Sequence, residues 1–281
     1  MPLTELFDET LDINATENYE LSVEMSAHDL AFCIFDGIRN KFIMLRSFVP
    51  EDQKKFTPDQ VRSIITKDDF LKKNYGKVHC VLSSSRFTLI PEALYDPGRK
   101  DEYFSFNHTI SESSVIFTDR LKDPDSYLLF AFSKPYAEII REFFPKSVPL
   151  HHLRPLFDQI HHERKNPGDN YIHAHIEADY FNLIIYSNNT LQLCNSFLYR
   201  NVSDILYYIL NVFRNLNIKQ EETIVLSGLA ERFDDLSSNL SLYIRNIKYA
   251  GLTGNFTFSY VFNEIPLHRY ITLFSAGSCE S

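Results

Sequence analysis

Residues 171–200 read YIHAHIEADYFNLIIYSNNTLQLCNSFLYR. Three runs rich in β-branched and aromatic residues, YIHAHIE, FNLIIYS and TLQLCNSF, are separated by polar or turn-forming residues. That pattern predicts an antiparallel meander of three strands. A helix follows over NVSDILYYILNVFRNLN, with Ile205, Ile209, Val212, Phe213 and Leu216 on one face. ETIVLSG then reads as a further strand.

The same order stands earlier in the chain. YELSVEMS, DLAFCIFD and KFIMLRSF predict a first meander. TPDQVRSIITKDDFLKKN predicts a helix with Thr57 as N-cap, Pro58 in the first turn and Gln60 three residues after the cap. Val61, Ile64, Ile65 and Leu71 supply its apolar stripe, and KVHCVLS is the following strand. Glu24 matches Glu177, Phe48 matches Phe197 and Leu82 matches Leu226 at a nearly constant offset. Between the copies lie a polar, turn-rich insertion at 92–110, two strands (SSVIFTDRL and SYLLFAFSK) and a helix, PYAEIIREFFP. The turn residues ending DQIHHERKNPGDN mark the boundary. The expected domains are an acidic N-terminal arm at 1–20, a first lobe at 21–165, and a second lobe at 166–281 closed by a C-terminal helix. The fold class expected is α/β: two lobes, each β-β-β-α-β, with a central cleft, as in actin-like ATPases and ribonuclease-H-like proteins.

Composition narrows the function. The net charge of −9 and the absence of a basic track argue against a nucleic-acid partner. No basic residue precedes Arg39, whereas Glu5, Asp8, Glu9, Asp12, Glu17 and Glu20 do, which predicts a solvated arm. No apolar run approaches the roughly 20 residues that span a bilayer, so no membrane insertion is expected. The opening residues lack the charged and apolar regions of a secretory signal. Cys33, Cys80, Cys194 and Cys279 form no CxxC motif, and three sit in apolar runs, as reduced core thiols do. Together these predict a cytoplasmic location.

LSVEMSAHDLAFCIFD, SSRFTLIPEALYD, CNSFLYRNVSDILYYIL, VLSGLAERFDDLSSNLSLYIRNI and IPLHRYITLFSAGSCE run in order across nearly the whole chain. In these stretches the chain resembles the uncharacterised bacterial family of domain of unknown function 3822. The resemblance implies a fold similar to actin-like ATPases, including those that act as pilus-assembly adaptors. It implies no activity.

Such ATPases hold phosphates in glycine-bearing turns, because the backbone must approach the ligand and aim N–H groups at it. The first turn typically reads Asp-x-Gly-x-x-x-x-Lys. Here Glu24 keeps an acid, but Ser26 replaces the glycine and Ala31 the lysine, with His28 between them. The second typically reads Asp-x-Gly-Gly-Gly-Thr. Here it is His175-Ile176-Glu177-Ala178-Asp179-Tyr180, without glycine. The third loop usually has two glycines, and one remains in Ser227-Gly228. No two of the eight glycines lie within two positions, so no GxG loop exists. Carboxylates where phosphates would sit add repulsion of about 1 kcal/mol or more per pair.

The expected cleft or ligand-binding residues are therefore Glu24, Ser26, His28, His175, Glu177, Asp179, Ser227 and Gly228. No catalytic residue, metal or cofactor is assigned, the alternative being Mg-ATP. His173, His175 and Glu177 share a strand face that offers three metal ligands, but a fourth must come from elsewhere, and polar groups on an exposed or cleft-facing strand are the plainer reading. His151 and His162 on one helix would stand about 16 Å apart, too far for one ion, and Pro155 interrupts that stretch. Glu24, Glu177 and Asp179 would suit a two-metal nuclease, which the charge disfavours. The expected role is a non-catalytic binding or scaffold protein with an unidentified protein partner: a pseudoenzyme. The rival is a divergent Mg-nucleotide ATPase or kinase. IPLHRYITLFSAGSCES is a candidate docking helix that packs Leu267, Ile271 and Phe274 and leaves His268 and Glu280 polar.

Overall fold

A computed structural model describes residues 2–51, 55–164, 168, 170–232 and 234–277. They form two compact units, one of Met1–Gln159, Gly254–Ile265 and 272–277, the other of Ile160–Thr253 and Pro266–Ile271.

The first unit opens with β1 (Thr4–Phe7), β2 (Tyr19–Met25), β3 (Leu30–Asp36) and β4 (Lys41–Phe48). Then come α1 (Pro58–Lys67), β5 (Lys77–Leu82) and β6 (Phe87–Pro91). The predicted insertion contains a short helix, α2 (Lys100–Ser105), ahead of β7 (Ser114–Leu121) and β8 (Ser126–Ser133). The segment closes with α3 (Lys134–Phe143), β9 (Pro149–His151) and the start of α4 (Leu153–Glu163). The main sheet has the order β1-β4-β3-β2-β5-β9, while β6-β8-β7 forms a separate three-stranded sheet. β2 pairs antiparallel with β3 and parallel with β5. The capping box forms as its residues require: Thr57 accepts from the Gln60 N–H, and the Gln60 side chain accepts from the Thr57 N–H.

The second unit repeats this plan with β10 (Tyr171–Ile176), β11 (Tyr180–Ser187), β12 (Thr190–Leu198), α5 (Val202–Asn215), β13 (Thr223–Gly228), α6 (Asp235–Leu240) and β14 (Asn246–Tyr249). Its order, β12-β11-β10-β13-β14, matches β4-β3-β2-β5-β9 strand for strand. Even the bulge recurs: the extra residue is Ile43 of β4 opposite Ile34/Phe35, and Gln192 of β12 opposite Ile185/Tyr186. Ile205, Ile209 and Phe213 bring one face of α5 onto Ile172, Ala174, Ile176, Leu183 and Ile185. Each such side chain contributes about 1.5–3 kcal/mol when fully buried.

Several expectations give way. The N-terminal segment is not a free arm: β1 pairs with β4, and Asp8, 2% exposed, accepts a 2.7 Å salt bridge from Lys41. Glu5 likewise meets Arg46 and Glu20 meets His79, which a charge count does not reveal. By contact, the division between the units falls inside α4, at Gln159/Ile160. Pro155 does not interrupt this helix but sits in its first turn, where a missing N–H costs nothing. The C-terminal segment is divided between the units. β15 (Thr257–Phe258) pairs parallel with β4, and Phe258, Phe262 and Phe274 close on Phe42 and one another. The expected docking helix is only α7 (Ile271–Phe274), and 270–276 are buried. His268 is buried too, its Nε2 at 2.5 Å from the Ala230 carbonyl. The segment is core, not a docking surface; Cys279 and Glu280 lie outside the described residues.

His151 makes stability pH-dependent. It is fully buried, its Nε2 faces the Ser84 carbonyl at 2.9 Å, and its Nδ1 receives the Leu153 N–H at 3.3 Å. Only the neutral ring satisfies both. Burial first, then His152, drive its pKa well below that of a free imidazole. The unfolded state therefore binds the extra proton as pH falls through about 6.5, and the folded state resists it. Urea unfolding should show stability falling below that pH. His151→Gln, which keeps a donor for Ser84, should flatten the slope by up to about 1.4 kcal/mol per pH unit.

Candidate functional site

In the first unit, β2 and β3 are joined by a tight turn at 26–29. The Ser26 hydroxyl accepts the backbone N–H groups of His28 (3.0 Å) and Asp29 (2.8 Å), and the Ser26 N–H donates to the Asp29 carbonyl (2.9 Å). Ser26 is 8% exposed. Amides that a glycine turn would leave facing a ligand are thus closed by the turn's own side chain. Glu24, one position before the β2 end, is also engaged internally. Thr272 Oγ1 lies 2.8 Å from both of its carboxylate oxygens, and the Ser83 hydroxyl donates to Oε1 at 3.1 Å.

The second unit carries the counterpart turn at 177–180. The Glu177 N–H donates to the Tyr180 carbonyl at 2.9 Å, and the Tyr199 hydroxyl donates to the Glu177 carbonyl at 2.5 Å. The Asp179 carbonyl accepts the Tyr199 N–H at 3.2 Å. On β10, Ile172, Ala174 and Ile176 face the α5 core, so Tyr171, His173, His175 and then Glu177 fall on the opposite face by strand alternation.

Of the exposed or cleft-facing placements that the sequence allowed, the exposed one falls: His173 and His175 are 1% and 2% exposed, and Ser227 is fully buried. They form a continuous polar chain. Glu163 Oε1 accepts the Gly251 N–H at 3.2 Å, and its Oε2 accepts the Tyr171 hydroxyl. The Tyr171 oxygen lies 3.3 Å from His173 Nδ1. Ser227 Oγ stands between His173 Nε2 and His175 Nδ1, 2.7 Å from each. His175 Nε2 then faces Glu177 Oε1 at 3.4 Å. Burial, and then His175, lower His173 to about 3, so its ring is neutral near pH 7. Burial, reinforced by the Glu163 carboxylate, raises Tyr171 and keeps its proton in place.

Gly228 ends β13 at φ +74°, paired with Ile176 at the end of the parallel neighbour β10. A Cβ there would lie 2.1 Å from the Ile176 carbonyl oxygen, which accepts the Leu229 N–H at 2.8 Å. This glycine serves strand packing.

The structure thus places the eight candidate residues in two sets. Glu24, Ser26 and His28 run from β2 into one turn; His175, Glu177 and Asp179 run from β10 into the other, with Ser227 and Gly228 beside them at the end of β13. Sequence reasoning did not single out Glu163, Tyr171, Tyr199 or Thr272. Only Tyr171 carried a signal, the two-residue spacing it shares with His173 and His175.

Comparison with known families gives one match, a model described as protein of unknown function DUF3822, over residues 8–247. Among curated proteins, none matches. Among solved structures, a Bacteroides thetaiotaomicron protein with actin-like ATPase fold and unknown function superposes with a TM-score of 0.81 at 21% identity, covering 96% of this chain and 100% of that one. The PilM component of a PilM–PilN type IV pilus biogenesis complex gives 0.53 at 11% identity, with 92% and 97% covered. The ethanolamine utilization protein EutJ from Carboxydothermus hydrogenoformans gives 0.52 at 7% identity, with 96% and 91% covered. The fold is that of the actin-like ATPases. Among the described residues no helix is long and apolar enough to cross a membrane.

Proposed function

This chain belongs to the DUF3822 family of proteins of unknown function, and from that premise we propose that it is a non-catalytic binding or scaffold protein on an actin-like frame. Its ligand is another protein. The observation that carries the reading is Ser26: its hydroxyl takes the His28 and Asp29 amides that a phosphate turn keeps for its ligand. The Glu24 contacts with Thr272 and Ser83, and the strand packing of Gly228, support it. The PilM–PilN complex is an instance of the fold engaged with a second protein. Strand β12 suits such a role: it is a nine-residue sheet edge without a charged side chain. Edges of that kind are normally shielded by charge or cover, and an added strand satisfies them. The cytoplasm is the compartment we assign, supported by the free Cys33 and Cys80 thiols in the core, Cys80 pushed up to about 12 by burial.

Calorimetric and thermal-shift titrations with Mg-ATP and Mg-ADP test this reading. The expected result is no saturable binding at millimolar nucleotide. A dissociation constant in the low micromolar range would replace it with the Mg-nucleotide ATPase or kinase reading.

A further inference from the structure

We propose that β12 is the edge by which this protein self-associates: it pairs antiparallel with β12 of a second copy of the chain, about a two-fold axis at Asn195. The proposed function asks for a second protein molecule at this edge. The inference rests on that reading and names the molecule.

The first unit shows what the strand is built for. β4 and β12 hold the same place in the duplicated sheet, and each carries its bulge, at Ile43 and at Gln192. In the first unit β1 lies antiparallel on the outer side of β4, and β4 is buried at six of its eight positions. β12 is the outer strand of its sheet and is buried at none of its nine. It nevertheless keeps the composition of a covered strand, with Leu191, Leu193, Cys194, Phe197 and Leu198 and no charge. Such an edge invites another strand.

The backbone is set to receive one. The Tyr199 N–H bonds the Asp179 carbonyl, so by alternation Phe197, Asn195 and Leu193 turn their N–H and C=O groups to β11. Leu198, Ser196 and Cys194 turn theirs outward. The outward Ser196 N–H is held by the Asn195 Oδ1 at 3.0 Å, a bond that an incoming carbonyl replaces. The bulge does not bar the way. At the same place in the first unit the Ile43 carbonyl accepts the Asp8 N–H at 2.8 Å.

The order of side chains selects a second copy. Leu193 and Phe197 pack against the α5 core, and Asn195 falls between them on the same face. Antiparallel pairing centred on Asn195 sets Leu193 opposite the second copy's Phe197 and Asn195 opposite the second copy's Asn195. It also sets the outward Cys194 opposite the outward Ser196, the register in which N–H and C=O groups are exchanged. A centre one residue away would face Asn195 with Leu193 or Phe197. Position 195 must therefore meet its own copy. Its counterpart three residues beyond the bulge of β4 is Arg46, which has Glu5 of β1 opposite it. Two arginines face to face would repel, whereas two asparagine amides can bond each other. The Phe197 ring continues the apolar surface to Tyr208, at 4.9 Å between centroids, and on to Tyr207, which is 66% exposed.

The test is sedimentation velocity of the full chain over a concentration series. The expected result is a dimer with a micromolar dissociation constant. Asn195→Arg and Asn195→Asp, at an exposed position, should each weaken it about tenfold, because like charges then meet on the axis. Mixed one to one, the two variants should form a heterodimer at least as tight as the original dimer. Amide exchange at Cys194 and Ser196 should be slow in the dimer and fast in either variant alone. Circular dichroism establishes that each variant is folded. A chain that stays monomeric at about 0.1 mM would overturn the proposal. So would a dimer that neither variant weakens, or variants that do not associate when mixed. A monomer would leave the scaffold reading standing. Micromolar Mg-nucleotide binding by a chain that still dimerises would sink the scaffold reading and support this one.

Discussion

Gly228→Ala is expected to lower the unfolding free energy by about 4 kcal/mol, a large share of the 5–15 kcal/mol that holds a domain together. Three effects add. A residue with a Cβ at φ +74° pays about 1–2 kcal/mol for the left-handed region. The new methyl would stand 2.1 Å from the Ile176 carbonyl oxygen, so β13 must part from β10; crowding of this kind costs about 1–3 kcal/mol. The Leu229 N–H to Ile176 carbonyl bond at 2.8 Å is then lost, for about another 1 kcal/mol. Urea unfolding should show a lower midpoint at an unchanged slope. Gly168→Ala is the control: nothing lies within 4 Å of its added Cβ, and its midpoint should stay put. Equal midpoints for the two variants would show that β13 can shift freely, and that Gly228 is not fixed by packing.

Arg154→Ala is expected to cost about 3–5 kcal/mol, because it strands a buried carboxylate. Asp119 is 6% exposed, its Oδ1 accepts from Arg154 at 2.8 Å, and its Oδ2 accepts the His151 N–H at 3.2 Å. Burial raises the Asp119 pKa even with Arg154 opposing it. Without the guanidinium that rise is larger, and the carboxyl protonates at a higher pH. The penalty of the variant should therefore shrink as pH falls, since a neutral carboxyl tolerates burial better than a charged one. Arg154→Ala/Asp119→Asn should recover much of the loss at neutral pH. If the single and double variants unfold at the same urea concentration, the pair is not what stabilises this corner of β7, β9 and α4.

Much of the architecture was legible because it is written in local periods. The strands of both meanders alternate or run apolar over six to nine residues. Thr57–Gln60 and Asn201–Asp204 announce their helices by capping boxes, and α5 sets Ile205, Ile209 and Phe213 on one face. Two copies of one order sufficed to identify the repeated unit and to place the candidate residues on matching turns. The absence of phosphate-binding glycines was equally plain.

What the local pattern could not carry was the fate of each polar group. Asp8, counted among the charges of a solvated arm, is buried against Lys41, and its carboxyl is held below the usual range despite that burial. His268 was read as the polar side of a docking helix and is buried, its Nε2 against the Ala230 carbonyl. His173 and His175 were read as exposed or cleft-facing strand residues and are buried, joined through Ser227 more than fifty positions away in sequence. The amides of the first turn are filled by Ser26, and Glu24 is met by Thr272 from the other end of the chain. By itself the sequence determined the strands, the helices, their caps and the duplication, since these arise from contacts between near neighbours. Only the tertiary structure decided which carboxylates and imidazoles are buried and what each one faces, because that depends on partners brought together from distant parts of the chain.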